Sequence, residues 1–262
     1  MPLRTIDLNA DLGEFPERLA DGSDAELMHW VTSANIACGG HAGDESTIEQ
    51  TLELAREHGV AAGAHPSYPD PPGFGRTVLQ MEIRELEESV TGQMHRLLTI
   101  ARRMQVAICH VKPHGALYHA CNCESDVTRA IGRAVLATDH RLIVVGQAGS
   151  PCLAIYRHMG LRAAAEAFAD RAYEPDGSLR NRSLAGALLD SPDVAAAQAV
   201  ALATRKVVAT TSGSEISISA ETLCLHSDTP GSAVIAQTVR ASLQAAGVAI
   251  RPLRRDASHI QH

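Results

Sequence analysis

The sequence predicts an α/β fold built on parallel strands, at a length that suits a (β/α) barrel. Three observations predict it. Short apolar segments alternate with longer stretches of helical periodicity about seven times, which is the pattern of consecutive βαβ units. The chain has 262 residues, close to the ~250 of a single barrel. Ionisable residues gather just after most of the apolar segments, and in a parallel barrel all those positions lie on one face.

Leu3–Leu8 reads as the first strand; Asp7, Asn9 and Asp11 alternate at its end, before Gly13 and Glu14. Ala34–Cys38 is the second, broken by Gly39-Gly40 ahead of His41. The helix Asp44–His58 follows, with an acidic first turn and Gly59 in place to end it. Val60–Ala64 is the third strand and runs into His65; Gly73-Phe74-Gly75-Arg76 and the helix Gln80–Met104 come after it. Ala107–Val111 is the fourth, closed by Lys112-Pro113-His114-Gly115 and followed by the helix Glu124–Thr138. Leu142–Val145 is the fifth and the exception, since it ends in Gly146-Gln147; the helix Pro151–Met159 follows. Ala163–Ala167 is the sixth, with Glu166 inside it and Asp170-Arg171 beyond it. A polar stretch from Arg171 to Ser183 is long enough to read as a functional loop, ahead of the helix Pro192–Thr204. Thr222–Leu225 is the seventh, followed by His226 and Asp228, the helix Pro230–Ala246 and a strand-like Val248–Leu253. This series fits an open doubly wound sheet as well as a closed barrel. No linker or repeat divides it, so residues 1–262 are expected to form one domain with a polar tail from about 254.

Hydrophobic residues make up 45% of the chain but aromatics only 3%, so Ala, Val, Leu and Ile must fill the core. The net charge of −7 without a basic run speaks against nucleic acid or an anionic membrane as partner. The N-terminus lacks the apolar segment of a signal peptide, and no apolar run reaches the ~18 residues of a membrane span. A cytoplasmic location and six reduced cysteines are the expectation. Neither Gly-x-Gly-x-x-Gly after the first strand nor a P-loop is present.

Each candidate group has a functional and a plainer reading. Asp11 and Asn9 suit either an active site or turn chemistry. His41 and His65 have small neighbours that let a ligand approach; an Asp and two His from adjacent strands, here Asp11, His41 and His65, can make a divalent-metal site. Lys112 and His114 close an apolar strand, where an ammonium can stabilise an oxyanion. Glu166 is a carboxylate in an alanine run and needs a partner if buried, Lys112 or Arg171. Asp170 lies four residues on. Arg76 and Arg182 are placed to pair with an anionic substrate, or are simply solvated, and the Gly73–Arg76 loop reads equally as a lid or an ordinary loop.

The segments DLNADLGE (7–14), SANIACGGHAGD (33–44), GAHPSYPD (63–70), GFGR (73–76), VKPHGALY (111–118), EAFADRAY (166–173) and CLHSDTPG (224–231) resemble, in order, those of the LamB/YcsF family. Four positions depart from its pattern: Gly40 where Phe is usual, Thr77 for Arg, His119 for Asn and Ser227 for Gly. The doubled glycine is expected to leave extra room beside His41. The resemblance implies a (β/α) barrel of about seven parallel strands, similar to the glycoside hydrolase/deacetylase group. It also implies opening of the lactam of 5-oxo-L-proline to L-glutamate, coupled to ATP hydrolysis, with partner subunits B and C. On that reading Asp11, His41, His65, Lys112, His114, Glu166 and Asp170 are catalytic, and Asn9, Asn35, Arg76, Arg182 and His226 bind substrate. Two other classes stay open: a self-sufficient metal-dependent amidohydrolase or deacetylase, and a non-catalytic subunit that binds a small acid.

Overall fold

In β1, Arg4–Leu12, polar and apolar side chains alternate from Thr5 to the end of the strand. Such a strand can pack on helices with one face and line a polar interior with the other. The computed structural model, which describes residues 4–229 and 231–254, places it that way. The other elements follow in order. After β1 come α1 (Pro16–Ala20), α2 (Ser23–Met28), β2 (Ser33–Ala37), α3 (Glu45–His58), β3 (Ala61–His65) and α4 (Ile83–Arg103). Next are β4 (Ile108–Val111), α5 (Gly115–Cys123), α6 (Ser125–Asp139), β5 (Ile143–Gln147), α7 (Pro151–His158) and β6 (Arg162–Phe168). The chain continues with α8 (Pro192–Arg205), β7 (Val207–Ala209), β8 (Glu215–Ser217), β9 (Thr222–Leu225), α9 (Ser232–Ala245) and β10 (Val248–Ile250).

Strands β1 to β6 pair in sequence order, all parallel, and β9 bridges β6 back to β1. The sheet is therefore a closed barrel of seven strands, which excludes the open sheet. β1 is long because it serves three neighbours. Arg4 to Ile6 pair with β10, Asp7 to Ala10 with β9, and Asn9 to Leu12 with β2. The expected end of this strand at Leu8 is thus four residues short, and Leu3 lies outside the described residues. Asn9 and Asp11 stand on a rigid strand, not in a turn.

Leu8, Leu12, Ile36, Leu52, Met94, Leu97 and Leu243 are fully buried between strands and helices. Burying such a side chain contributes about 1.5–3 kcal/mol, and this layer is almost wholly aliphatic, as the composition requires. Three short helices, α1, α2 and α5, and the antiparallel hairpin β7–β8 escape the sequence reading, because none carries a long apolar stripe. No described helix is long and apolar enough to cross a membrane. The last expected helix starts at Ser232; Pro230 lies outside the described residues, as does the tail from residue 255.

The barrel interior is polar at every level. At the N-terminal end Asp7 accepts hydrogen bonds from Thr32, Ser33 and Thr222, at 2.7, 2.7 and 2.6 Å. One level up, Asn9 donates to Glu166 (2.9 Å) and to Thr222 (2.6 Å), and accepts from Asn35 (2.7 Å). The His110 ring meets Asn35 Oδ1 through Nε2 at 2.8 Å. Gly63 makes that ring possible, since a Cβ there would collide with the imidazole. Buried polar groups are tolerated when they satisfy one another, and this column carries fixed polar groups up to the C-terminal mouth.

Candidate active site

At the mouth, Lys112 Nζ reaches down into the column. Its ammonium lies 3.1 Å from Asp11 Oδ1, 3.0 Å from Glu166 Oε1, 3.3 Å from Asn9 Oδ1 and 3.1 Å from Cys224 Sγ. Burial opposes the charge, but Asp11, Cys224 and Glu166 outweigh it and hold Lys112 protonated far above its ordinary range. The choice between Lys112 and Arg171 as the partner of Glu166 is thereby decided for Lys112. Burial likewise pushes Asp11 up, yet the charges of His65 and Lys112 prevail and keep it well below the usual carboxylate range. Asn35 supports it, donating to Asp11 Oδ1 at 2.8 Å.

Above Asp11 stand three histidines and Glu14. Pro66 follows His65 and Pro113 precedes His114, and both stiffen the backbone that carries these rings. His65 Nδ1 donates to the Lys112 carbonyl at 2.7 Å, which leaves Nε2 facing inward. That Nε2 is 3.4 Å from Asp11 Oδ2 and 3.0 Å from His114 Nδ1. His114 Nε2 donates to the Phe74 carbonyl at 3.0 Å, so its Nδ1 also faces inward, 3.2 Å from Glu14 Oε1. His41 stacks on His114 with centroids 3.7 Å apart and meets Glu14 Oε1 through Nε2 at 3.0 Å. Its Nδ1 is buried without a partner among the described residues.

The electrostatics separate the three rings. Burial lowers His65, but Asp11 overrides it and raises the ring above its ordinary value. Burial, aided by the charge of His65, pushes His41 and His114 down to about 3. Burial raises Glu14, which brings that carboxyl closer to neutrality, where proton exchange is most useful.

Atoms of Asp11, Glu14, His65 and His114 lie within 4.8 Å of one another. Of the trio expected to hold a metal, Asp11 and His65 belong to this set and His41 does not. His41 is turned over the His114 ring and toward Glu14, and Glu14 and His114 complete the set in its place. Glu14 escapes the sequence reading as a site residue because it follows Gly13 in a bend beyond the strand. The remaining candidates split off. Asp170 takes the backbone N–H and Nδ1 of His226, both at 2.8 Å, and so belongs to His226 and not to Lys112. His226 stacks on Phe168. Arg76 and Arg182 both donate to Asp228 Oδ2, at 2.7 and 2.9 Å, on the outer rim.

The Gly73–Arg76 loop is fastened over the cluster. The Phe74 carbonyl accepts from His114, the Gly75 carbonyl accepts from Ala116 N–H, and the Phe74 ring stacks on Phe15 at 4.9 Å. The extra room expected at Gly40 is absent. A Cβ there would strike Gln93 and Ser67, because the Gln93 amide fills the space and pairs both backbone groups of Ser67.

Comparison with known proteins extends over nearly the whole chain. The sequence profile of the LamB/YcsF family matches residues 6–258. The 5-oxoprolinase A subunit of Chloroflexus aggregans is 46% identical over 250 residues, 95% of this chain and 99% of its own. That of Pyrococcus furiosus is 40% identical over 248 residues, 95% and 97% of the two chains. The solved lactam utilization protein of Thermus thermophilus superposes with a TM-score of 0.88 at 39% identity, covering 94% of this chain and 99% of that one. A solved protein of Enterococcus faecalis at 13% identity shares the fold alone, with a TM-score of 0.58 over 96% and 98% of the two chains.

Proposed function

The chain belongs to the LamB/YcsF family, and from that premise we propose that it is the lactam-opening component of a 5-oxoprolinase. It cleaves 5-oxo-L-proline to L-glutamate, and does so with ATP hydrolysis supplied through partner subunits B and C. The observation that carries this reading is the buried acid–base cluster at the barrel mouth, in a chain similar along its length to proteins named as the A component of 5-oxoprolinase.

A lactam is a poor electrophile because amide resonance protects its carbonyl. ATP offers activation of the carbonyl oxygen, and the barrel must then deliver water, hold the developing negative charge and protonate the ring nitrogen. Lys112 is the buried cation nearest this chemistry, and Asp11, Glu166 and Asn9 fix its position. Its ammonium stabilises charge that develops on oxygen. Glu14 Oε1, raised by burial and facing His41 and His114, accepts a proton from water. A proton held between His65 Nε2 and His114 Nδ1 is placed to pass to the leaving nitrogen. Phe74 and the loop that carries it exclude bulk water from these groups.

A divalent cation fits the same four atoms. The two backbone carbonyls fix tautomers that turn the His65 and His114 lone pairs inward, beside two carboxylates, an N/O donor set suited to zinc or manganese. Bound there by Asp11, Glu14, His65 and His114, it supplies Lewis-acid activation of water. That donor set favours a second reading, a metal-dependent amidohydrolase that works without partners. Glutamate formation from 5-oxo-L-proline, measured with and without ATP and subunits B and C, separates the two. No glutamate from the full complex defeats the main reading; turnover by the metal-loaded chain alone supports the second.

A further inference from the structure

We propose that Arg171 is the anion anchor of the site and receives the carboxylate of the 5-oxo acid, an assignment that rests on the function proposed above. Substrate carboxylates are usually met by a guanidinium, and the sequence offers Arg76 and Arg182 for that task. Both already hold a carboxylate of the protein itself, since each donates to Asp228 Oδ2. Arg180 likewise pairs with Glu174 at 2.9 Å. Arg171 differs. It is 4% exposed, yet it makes no ion pair among the described residues. Its Nη2 donates to the Arg180 carbonyl at 2.7 Å, and its Nε is buried with no partner among the described residues. Nη1 makes no hydrogen bond among the described residues and is not enclosed.

A guanidinium does not shed its proton to escape burial, so this charge is kept at a cost that a bound anion offsets. Its position suits the task. Arg171 follows Asp170 at the C-terminal end of β6 and bridges to Leu188 across the loop. Its charge acts on His119 together with that of Arg182, and with burial lowers that imidazole. Cys224, whose Sγ touches Lys112 Nζ at 3.1 Å, lies within the electrostatic reach of Arg171. The acid group of the substrate then lies against Arg171, and the lactam bond against the carboxylates and imidazoles of the cluster.

The test uses the reconstituted complex with 5-oxo-L-proline as substrate and 2-pyrrolidinone, the same lactam without its carboxylate, as competitor. Arg171→Gln is expected to raise KM for 5-oxo-L-proline about 30- to 100-fold, the range for a lost charged hydrogen bond, with kcat changed less than about threefold. Arg171→Lys should fall between Arg171→Gln and wild type. The inhibition constant of 2-pyrrolidinone should stay the same in all three proteins. An unchanged KM in both variants overturns the anchor, and so does a parallel loss for substrate and competitor, which marks a structural role. A wild-type complex that makes no glutamate refutes the function itself and the anchor with it. An active wild-type complex with an unaffected Arg171→Gln variant refutes the anchor alone.

Discussion

His65 Nε2 and His114 Nδ1 face each other at 3.0 Å, while the other nitrogen of each ring donates to a backbone carbonyl, of Lys112 and of Phe74. Two neutral imidazoles held in this way present lone pair to lone pair. With Asp11 and Glu14 alongside, the arrangement is stable only around a shared proton or a cation, and the two are exclusive at His65 Nε2.

The first prediction is a cation site. Isothermal titration with zinc or manganese should show one site per chain. Loss of one donor in His114→Ala or Glu14→Gln should weaken it by at least ~100-fold, beyond the 10- to 100-fold seen when only supporting groups are lost. Equal affinity in wild type and both variants removes the metal from the account.

Lys112 joins Asp11 to Glu166 at the top of the polar column. Lys112→Met strands the buried Glu166 and the half-buried Asp11 and should cost about 3–5 kcal/mol of stability, together with at least ~100-fold in glutamate formation. Adding Glu166→Gln should recover much of the stability and none of the activity. Denaturant melts of the single and double variants provide the check; strictly additive losses would show that the pair is not coupled.

Asp7 sets a pH dependence far from the cluster. Burial, opposed by the hydrogen bonds of Thr222, Ser33 and Thr32, raises it from 3.8 to about 6. Between those values the folded chain holds a proton that the unfolded chain has released, so stability from this group falls as pH rises. It is fully present below 3.8 and gone above 6. Asp7→Asn lacks the effect. Its unfolding free energy relative to wild type should therefore rise by about 2 kcal/mol from pH 4 to pH 7. A difference independent of pH contradicts the assignment.

How far such features can be read from the chain depends on what holds them. Asp7, Asn9 and Asp11 are legible as one face because a strand alternates, and Glu166 because a carboxylate among alanines needs a partner. The gathering of His41, His65, Lys112 and His114 follows from parallel strands ending on one side. Glu14 is not legible. It sits in a bend beyond Gly13, and its neighbours come from the loop after β2, from β3 and from the start of α5. The engagement of Arg76 and Arg182 by Asp228 is hidden too, since three loops widely separated in sequence meet at one oxygen. Gly40 misleads for the same reason, because the group that fills the space beside it belongs to α4.

That last contact makes a packing prediction. Gly40→Ala should destabilise the chain by about 1–3 kcal/mol through overpacking. The penalty should shrink in a Gln93→Ala background, where only the Ser67 hydroxyl still crowds the added methyl. Thermal melts of the four proteins in the cycle decide it, and an undiminished penalty would locate the clash elsewhere.

The central claim is that this barrel mouth opens the lactam. It is tested most directly by single-turnover glutamate formation from 5-oxo-L-proline, with ATP and subunits B and C, comparing wild type with Asp11→Asn and His114→Ala chains that melt as wild type does. Each substitution should lower the rate of glutamate formation by at least ~100-fold. Glutamate formed at the wild-type rate by either folded variant would place the chemistry outside this site.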